Sequence, residues 1–284
     1  MGGERLEFEA DPRHVQILQA QLGLRPGSRG ISTPGLSEAV TDISEQALDD
    51  EQAALFRSAC MRLGYVALDR PEIQFAAKEC ARGMSCPTQR HLSLLKRAAR
   101  FTLIAPRTIW VWRRQAPVKT LLLQCDTDWA GCKLTRRSTS AVVVLAGQHC
   151  VLTASTTQIP IVLSSGEAEF YGVTRAASRA IGLVALYNDF GVTVDARVAT
   201  DSSAALGIAQ RRGCGKVRHL ETPTLWVQRA LKLGRFGLVK IAGKVNCADL
   251  GTKHVDATTM RGHLNRMDLV LVESARETAL WAKV

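Results

Sequence analysis

The sequence predicts an α/β fold: a mixed five-stranded sheet flanked by helices and preceded by a small, mostly helical segment. Three observations support this prediction. Apolar residues recur at helical spacing before Pro117, short runs rich in valine and threonine begin after it, and the later runs alternate with helical stretches. Adjacent strands followed by strand–helix alternation are typical of a mixed sheet covered by helices.

Three helices are expected in the first half, at residues 50–65, 71–84 and 87–103. The second opens with Pro71, and proline fits the first turn of a helix because the amide there needs no partner. Glycine, proline and serine interrupt any periodicity in residues 24–53, which we interpret as a solvated connector.

Five strands are expected in the second half, at residues 121–125, 138–145, 150–154, 194–200 and 236–242. A turn at Gly147 and Gln148 joins the second strand to the third as a hairpin. Helices are expected at residues 164–190, 202–210 and 217–233, and a further helix is expected to open at Asn246.

These patterns divide the chain into four segments. An acidic N-terminal remnant and connector is expected over 1–53, a helical segment over 54–117, the α/β domain over 118–255 and a tail over 256–284. Apolar residues such as Leu264 and Met267 favour packing of the tail, although a loose extension is the alternative.

The net charge of +11 is unevenly distributed. Residues 1–51 carry 4 Lys or Arg against 10 Asp or Glu, whereas residues 52–120 carry 13 against 3 and residues 121–284 carry 20 against 13. A basic middle and C-terminal part favours a polyanionic partner, with nucleic acid the first choice and simple solubility the alternative.

The chain shows no apolar run of membrane-spanning length and no apolar segment after its first residues, so an intracellular, cytoplasmic or nuclear protein without membrane contact is expected. Its eight cysteines include no pair spaced by two to four residues. A zinc site is therefore not expected, and buried thiols in a reducing compartment are the simpler interpretation.

Four acidic residues of the second half stand where a strand ends or a helix begins: Asp126, Glu169, Asp201 and Asp249. Each has a structural alternative taken singly. Asp201 and Asp249 are placed to cap or favour a helix start, and Asp126 is placed to serve in a turn.

Two neighbouring acids compete for these roles. Glu167 stands three residues after Ser164, the spacing of a capping box, so Glu169 is the better free carboxylate. Asp128 lies two residues after Asp126, on the same face if the strand continues. We prefer Asp126 because it ends the apolar run, whereas Trp129 and the residues after it indicate a turn.

Four carboxylates gathered in one cleft would repel one another, and divalent cations remove that conflict. Magnesium prefers oxygen ligands and keeps some of its waters. Two such ions, Mg²⁺ or Mn²⁺, held by the four acids suit the in-line displacement of a phosphoryl group.

The same residues lie within motifs that resemble a known family. CDTDWAGCKLTRRSTS, VLSSGEAEFYGV, ATDSSAALGIA, KVRHLETPTLWVQ and KVNCADLGTKH resemble, in order, the RNase H region of copia-type LTR retrotransposon Pol polyproteins. Residues 65–101 resemble the segment just before it, which closes the reverse transcriptase, so the likeness covers about residues 55–255.

This resemblance implies an RNase H-like fold and endonucleolytic cutting of the RNA strand of an RNA–DNA hybrid, within a polyprotein that includes an upstream reverse transcriptase. Its catalytic and metal-binding acids carry over as Asp126, Glu169, Asp201 and Asp249. Hybrids are recognised largely by shape and backbone contacts. The candidates for phosphate contact are Lys216, Arg218, His219, Arg136 and Arg137, with ordinary surface charge as the alternative.

The chain departs from the family pattern at several positions. Gly166 replaces a small or hydroxyl residue, Ala141 replaces a common glycine, and Gly251 replaces an aromatic or apolar residue before Thr252 and Lys253. Residues 242–247 supply no histidine before the last acid, and the part that resembles reverse transcriptase lacks a pair of adjacent aspartates on a strand turn. We therefore do not expect a polymerase active site in this chain.

Three functions are compatible with these patterns. The first is a metal-dependent ribonuclease H, and the second is a catalytically inactive nucleic-acid-binding remnant of such a polyprotein. The third is an unrelated α/β domain whose acids only cap helices. The spatial arrangement of the four carboxylates distinguishes the third from the other two.

Overall fold

The structure, a computed structural model, describes residues 4–25, 27–35, 45–215, 217–220 and 224–273. The chain forms two compact units. The first contains Arg113–Lys253, and the second contains Arg5–Trp112 together with the segment that begins at His254.

The described residues form eight strands and eight α-helices. In chain order they are β1 (Arg5–Glu9), α1 (Pro12–Gln21), α2 (Asp50–Val66), α3 (Pro71–Ala81), α4 (Gln89–Ile104), β2 (Arg107–Arg113), β3 (Thr120–Asp128), β4 (Thr139–Ala146), β5 (His149–Thr157), α5 (Ser165–Asp189), β6 (Asp195–Thr200), α6 (Ser203–Gln210), α7 (Trp226–Lys232), β7 (Gly237–Lys240), α8 (Ala257–Arg266) and β8 (Leu269–Val272).

The first unit is built on a five-stranded mixed sheet in the order β5-β4-β3-β6-β7. Strands β3, β4 and β5 pair antiparallel, whereas β6 pairs parallel with both β3 and β7. This confirms the predicted mixed five-stranded sheet. The parallel pair β3 and β6 brings the carboxyl ends of two strands to one edge.

Alternation along β3 separates the two faces of this sheet. Leu121, Leu123 and Cys125 are fully buried in a core with Phe170 and Val173 of α5. Gln124 faces the other way, and its side-chain oxygen accepts a hydrogen bond of 2.7 Å from the amide of Cys247. Asp126 comes two residues after Gln124, so its side chain projects from the same face of the sheet. That face carries the 3₁₀ turn Cys247–Gly251.

Two departures from the family pattern meet on the face of the sheet that carries this 3₁₀ turn. A Cβ added at Gly251 would lie 2.6 Å from the Cβ of Ala141 on β4, closer than two carbon atoms can approach. The alanine that replaces a common glycine therefore occupies the space that a larger residue at position 251 would need. Ala141 and Gly251 are therefore complementary in size, because protein interiors are close-packed.

We predict that Gly251→Ala destabilises the protein by about 1–3 kcal/mol through overpacking. In an Ala141→Gly background, Gly251→Ala should lower the free energy of unfolding by about 1 kcal/mol less. A coupling energy of this size is typical of residues in contact. Urea unfolding of the four proteins of the cycle measures this coupling. Gly207→Ala on α6 is the control, since a Cβ there meets nothing within 4 Å. If the changes in unfolding free energy at 141 and 251 are additive, the two residues do not constrain each other in size.

The second unit combines helices α1–α4 and α8 with a three-stranded sheet in the order β1-β2-β8. A buried ion pair of 2.8 Å joins Arg70 to Glu72 at the start of α3. Arg70 also donates to the carbonyls of Ala105 and Pro106, and Thr108 on β2 donates to Glu72. This network pairs the two buried charges through Glu72 Oε1 and ties α3 to the first residues of β2.

The structure confirms the three helices expected before Pro117 and the five strands expected after it, with ends that differ by a few residues. It adds elements that the sequence analysis did not predict, namely β1, α1, β2, α8 and β8. The predicted helix over 217–233 is wrong in length, because in the described part only Trp226–Lys232 is α-helical.

The predicted segments also differ from the observed elements at both ends of the chain. The region described as an acidic remnant contains α1, which buries Val15 and Leu18. In the tail, α8 and β8 bury Met260, Leu264 and Met267, so its described part is packed rather than loose, and residues 274–284 lie outside the described ranges. Within the described ranges, no helix combines the length and apolar character that crossing a bilayer requires.

Candidate active site

Three carboxylates from distant parts of the sequence converge at one edge of the five-stranded sheet. Asp126 lies on β3, Glu169 lies in the second turn of α5, and Asp201 follows the last residue of β6. One carboxylate oxygen from each residue lies within 4.8 Å of the other two. Asp126 and Glu169 are buried, and Asp201 is partly exposed, so the cluster opens to solvent on one side.

Asp249 joins this cluster from the 3₁₀ turn. It is not one of the three mutually close residues, but its carboxylate lies against that of Asp126, which raises its pKa. Asn246, which begins the turn, donates to the carbonyl of Cys125 next to Asp126 and thereby holds the turn on β3. The structure thus brings all four predicted acids to one place.

Burial and mutual repulsion change the ionisation of these acids. Burial, followed by the charges of Asp126 and Asp201, raises the pKa of Glu169 to about 8. Burial and the Asp126 charge raise the pKa of Asp249 to about 6, and the same two causes raise the pKa of Asp201. The cluster is therefore costly to ionise unless a cation shares it.

Two buried carboxylate oxygens, Glu169 Oε2 and Asp249 Oδ1, have no hydrogen-bond partner among the described residues. Glu169 is only 7% exposed, so water does not compensate its charge freely. Hard oxygen donors with uncompensated charge are the ligands that Mg²⁺ and Mn²⁺ prefer. The residues present therefore fit divalent cations.

Helix capping does not explain these acids. Ser202 caps α6 by accepting from the amide of Ala205, so Asp201 is not its cap. Asn246 caps the 3₁₀ turn by accepting from Ala248. Asp126 lies inside β3 rather than after it, which corrects its predicted place at a strand end. The interpretation as an unrelated domain with capping acids loses its support.

The competing acids are engaged elsewhere. Glu167 accepts from the amide of Leu163 at 2.9 Å and pairs with His219 Nε2 at 2.9 Å. Asp128 is the last residue of β3, and its carboxylate occupies the space where a Cβ at Gly131 would lie, so it packs against the following turn. The preference for Glu169 over Glu167 and for Asp126 over Asp128 stays a prediction, and Asp128 lies in β3 rather than in the turn that the sequence indicated.

Two residues of the site had no role in the sequence analysis. The hydroxyl of Thr252 donates to Asp126 Oδ2, and the ammonium of Lys253 lies 2.9 Å from Asp249 Oδ2. Both belong to the Thr-Lys pair of the last motif, three and four residues after Asp249. The spacing of four residues from Asp249 is the sequence signal that could have identified Lys253.

The candidate phosphate-contacting residues differ in their exposure and in their partners. Arg136 and Arg137 are exposed in the loop between β3 and β4, and Arg218 is exposed in the segment between α6 and α7. His219 is not a free surface charge, because it pairs with the buried Glu167 at the start of α5. Lys216 lies outside the described residues.

No protein-family model matches the chain. The retrovirus-related Pol polyproteins from transposons RE1 and RE2 of Arabidopsis thaliana are 25% and 23% identical over 220 residues, which are 76% of this chain. The chain spans only 15% of the length of each. Secreted RxLR effector protein 161 of Plasmopara viticola is 30% identical over 118 residues, 42% of this chain and 82% of that protein.

Two solved structures are also similar at 18% identity. The N-terminal RNase H domain of a Mycobacterium tuberculosis protein matches 52% of this chain and 97% of its own, with a TM-score of 0.33. LC11-RNase H1, solved in complex with an RNA/DNA hybrid, matches 46% of this chain and 93% of its own, with a TM-score of 0.32. Over 76% of its length, the chain is therefore a homologue of the retrovirus-related Pol polyproteins of transposons RE1 and RE2.

Proposed function

We propose that the chain is a metal-dependent ribonuclease H that cuts the RNA strand of RNA–DNA hybrids as part of a retrotransposon polyprotein. The observation that carries the proposal is the convergence of Asp126, Glu169 and Asp201, with Asp249 beside Asp126. A buried oxygen of Glu169 without a partner among the described residues adds a reason for a cation at this place.

The four carboxylates would hold two divalent ions. Such ions, when bound, supply an activated water and stabilise the leaving oxygen of an in-line phosphoryl displacement. The residues of the chain position this chemistry. Thr252 fixes one oxygen of Asp126, and the rigid strand and helix beneath Asp126 and Glu169 keep the ligands in place with little reorganisation.

Exposed basic residues near the sheet edge support a polyanionic substrate. The His219–Glu167 pair anchors the segment that carries Arg218 to the start of α5, two residues from Glu169. In our proposal Arg218, Arg136 and Arg137 contact phosphates of the hybrid, and His219 holds the segment of Arg218 in place instead of contacting a phosphate itself. Lys216 remains a candidate of the same kind.

Cleavage of a labelled RNA–DNA hybrid tests the function. Cutting of the RNA strand with Mg²⁺ or Mn²⁺, its loss with EDTA, and no cutting of duplex DNA are expected. Salt-sensitive hybrid binding without cleavage under any metal condition would instead identify a catalytically inactive nucleic-acid-binding remnant.

We predict that Arg218→Ala weakens hybrid binding and lowers the dependence of log K on log salt by about one unit, since one phosphate contact is lost. Lys119→Ala is the matched control, because Lys119 is exposed just before the first residue of β3, at the other end of that strand from Asp126. Filter binding at several salt concentrations measures both slopes. Equal slopes for the two variants would contradict the proposed contact.

A further inference from the structure

Lys253 brings a positive charge into the carboxylate cluster. Its ammonium donates to Asp249 Oδ2 at 2.9 Å, and the preceding residue, Thr252, donates to Asp126. The lysine side chain is about half exposed, so it reaches the cluster from the solvent side.

We propose that Lys253 is a built-in counter-ion that competes with divalent cations for the carboxylate cluster and so sets the affinity of the site for metal. This inference rests on the proposed metal-dependent function. In this role Lys253 positions Asp249 and sets the metal affinity of the site, and it does not contact the reacting phosphate.

The geometry of Asp249 supports this role. Lys253 occupies Oδ2, while the other oxygen, Oδ1, is buried and has no hydrogen-bond partner among the described residues. A cation at the cluster therefore finds one oxygen of Asp249 already bound to an ammonium. It must share that carboxylate with Lys253 or displace the lysine, and either event weakens its binding.

The same charge stabilises the cluster when no metal is bound. The ammonium of Lys253 pairs with Asp249 Oδ2 and so offsets part of the repulsion among the carboxylates. The ammonium of Lys240 donates instead to the hydroxyl of Ser203, which does not belong to the cluster. Lys240 is therefore a natural comparison for Lys253.

The test measures Mn²⁺ binding by isothermal titration calorimetry and melting in EDTA, both without nucleic acid. Lys253→Gln should bind Mn²⁺ about tenfold more tightly, since a nearby positive charge is removed, and should melt at a lower temperature in EDTA. Lys253→Arg keeps the charge and should resemble the wild type. Lys240→Gln should change the affinity less than Lys253→Gln does.

If the wild type binds Mn²⁺ and Lys253→Gln binds it equally or more weakly, the counter-ion role is wrong. The proposed nuclease function is not affected by that result. If the wild type binds no Mn²⁺ and Lys253→Gln still melts lower in EDTA, the lysine stabilises the cluster, whereas competition with metal and the metal-dependent function both fail.

Discussion

Asp126→Asn is expected to reduce hydrolysis of an RNA–DNA hybrid by at least about 1,000-fold, while the protein stays folded. Asp126 is the one acid that lies next to all the others: it is close to Glu169 and Asp201, and it raises the pKa of Asp249. Loss of its charge would remove one of the residues that would hold the metal ions, and each 1.4 kcal/mol of lost transition-state stabilisation costs about tenfold in rate.

Asp128→Asn is the matched control for this experiment. It removes the same charge two residues further along β3, where the carboxylate packs against the turn at Gly131. Single-turnover cleavage with Mg²⁺ should leave this variant near the wild-type rate. If Asp128→Asn abolishes cleavage and Asp126→Asn does not, the assignment of the ligand on β3 is wrong.

The metal-free protein is expected to lose stability as pH rises from about 4.5 to about 8, and Glu169→Gln should remove much of this loss. The pKa of Glu169 is raised from 4.5 to about 8, first by burial and then by the charges of Asp126 and Asp201. Between these values the unfolded chain releases the proton freely and the folded protein keeps it. Folding is therefore favoured at low pH, and the advantage disappears above the folded pKa.

Thermal melting in EDTA measures this effect. At pH 8 Glu169→Gln should melt about 5 °C or more above the wild type, because the amide carries no charge to repel its neighbours, and at pH 5 the two should converge. Mg²⁺ should reverse the order at pH 8 by stabilising the wild type more. Equal melting temperatures at pH 8 in EDTA would show that Glu169 lies outside a repulsive cluster.

Glu167→Gln serves as the control for this second prediction. Glu167 is on the same helix and is equally buried, but its carboxylate already accepts from Leu163 and pairs with His219. The glutamine should destabilise the protein at pH 8, opposite to the effect at position 169. If both glutamine variants shift the melting temperature in the same direction, the effect is a general one of charge on α5.

The strands and helices that carry the acids were predictable because each has a local signal. Valine-rich runs predicted β4, Ser164 and the apolar spacing after it predicted α5, and the Gly147 turn predicted the hairpin. Local signals did not reveal β1, β2 and β8, because these short strands are stabilised by pairing with residues far away in sequence. The helix over 217–233 was overestimated for a related reason: His219 binds Glu167 across the fold instead of continuing a helix.

For the site, too, some features follow from the sequence alone and others only from the tertiary structure. Residue types and motif order, taken alone, determined the family resemblance, the four candidate acids and the preference for Glu169 over Glu167. Only the tertiary structure decided that these acids meet, that Thr252 and Lys253 join them, and that Ala141 packs against Gly251. The physical reason is that hydrogen bonding, repulsion and packing act over a few ångströms of space, and the sequence specifies which residues share that space only through the whole fold.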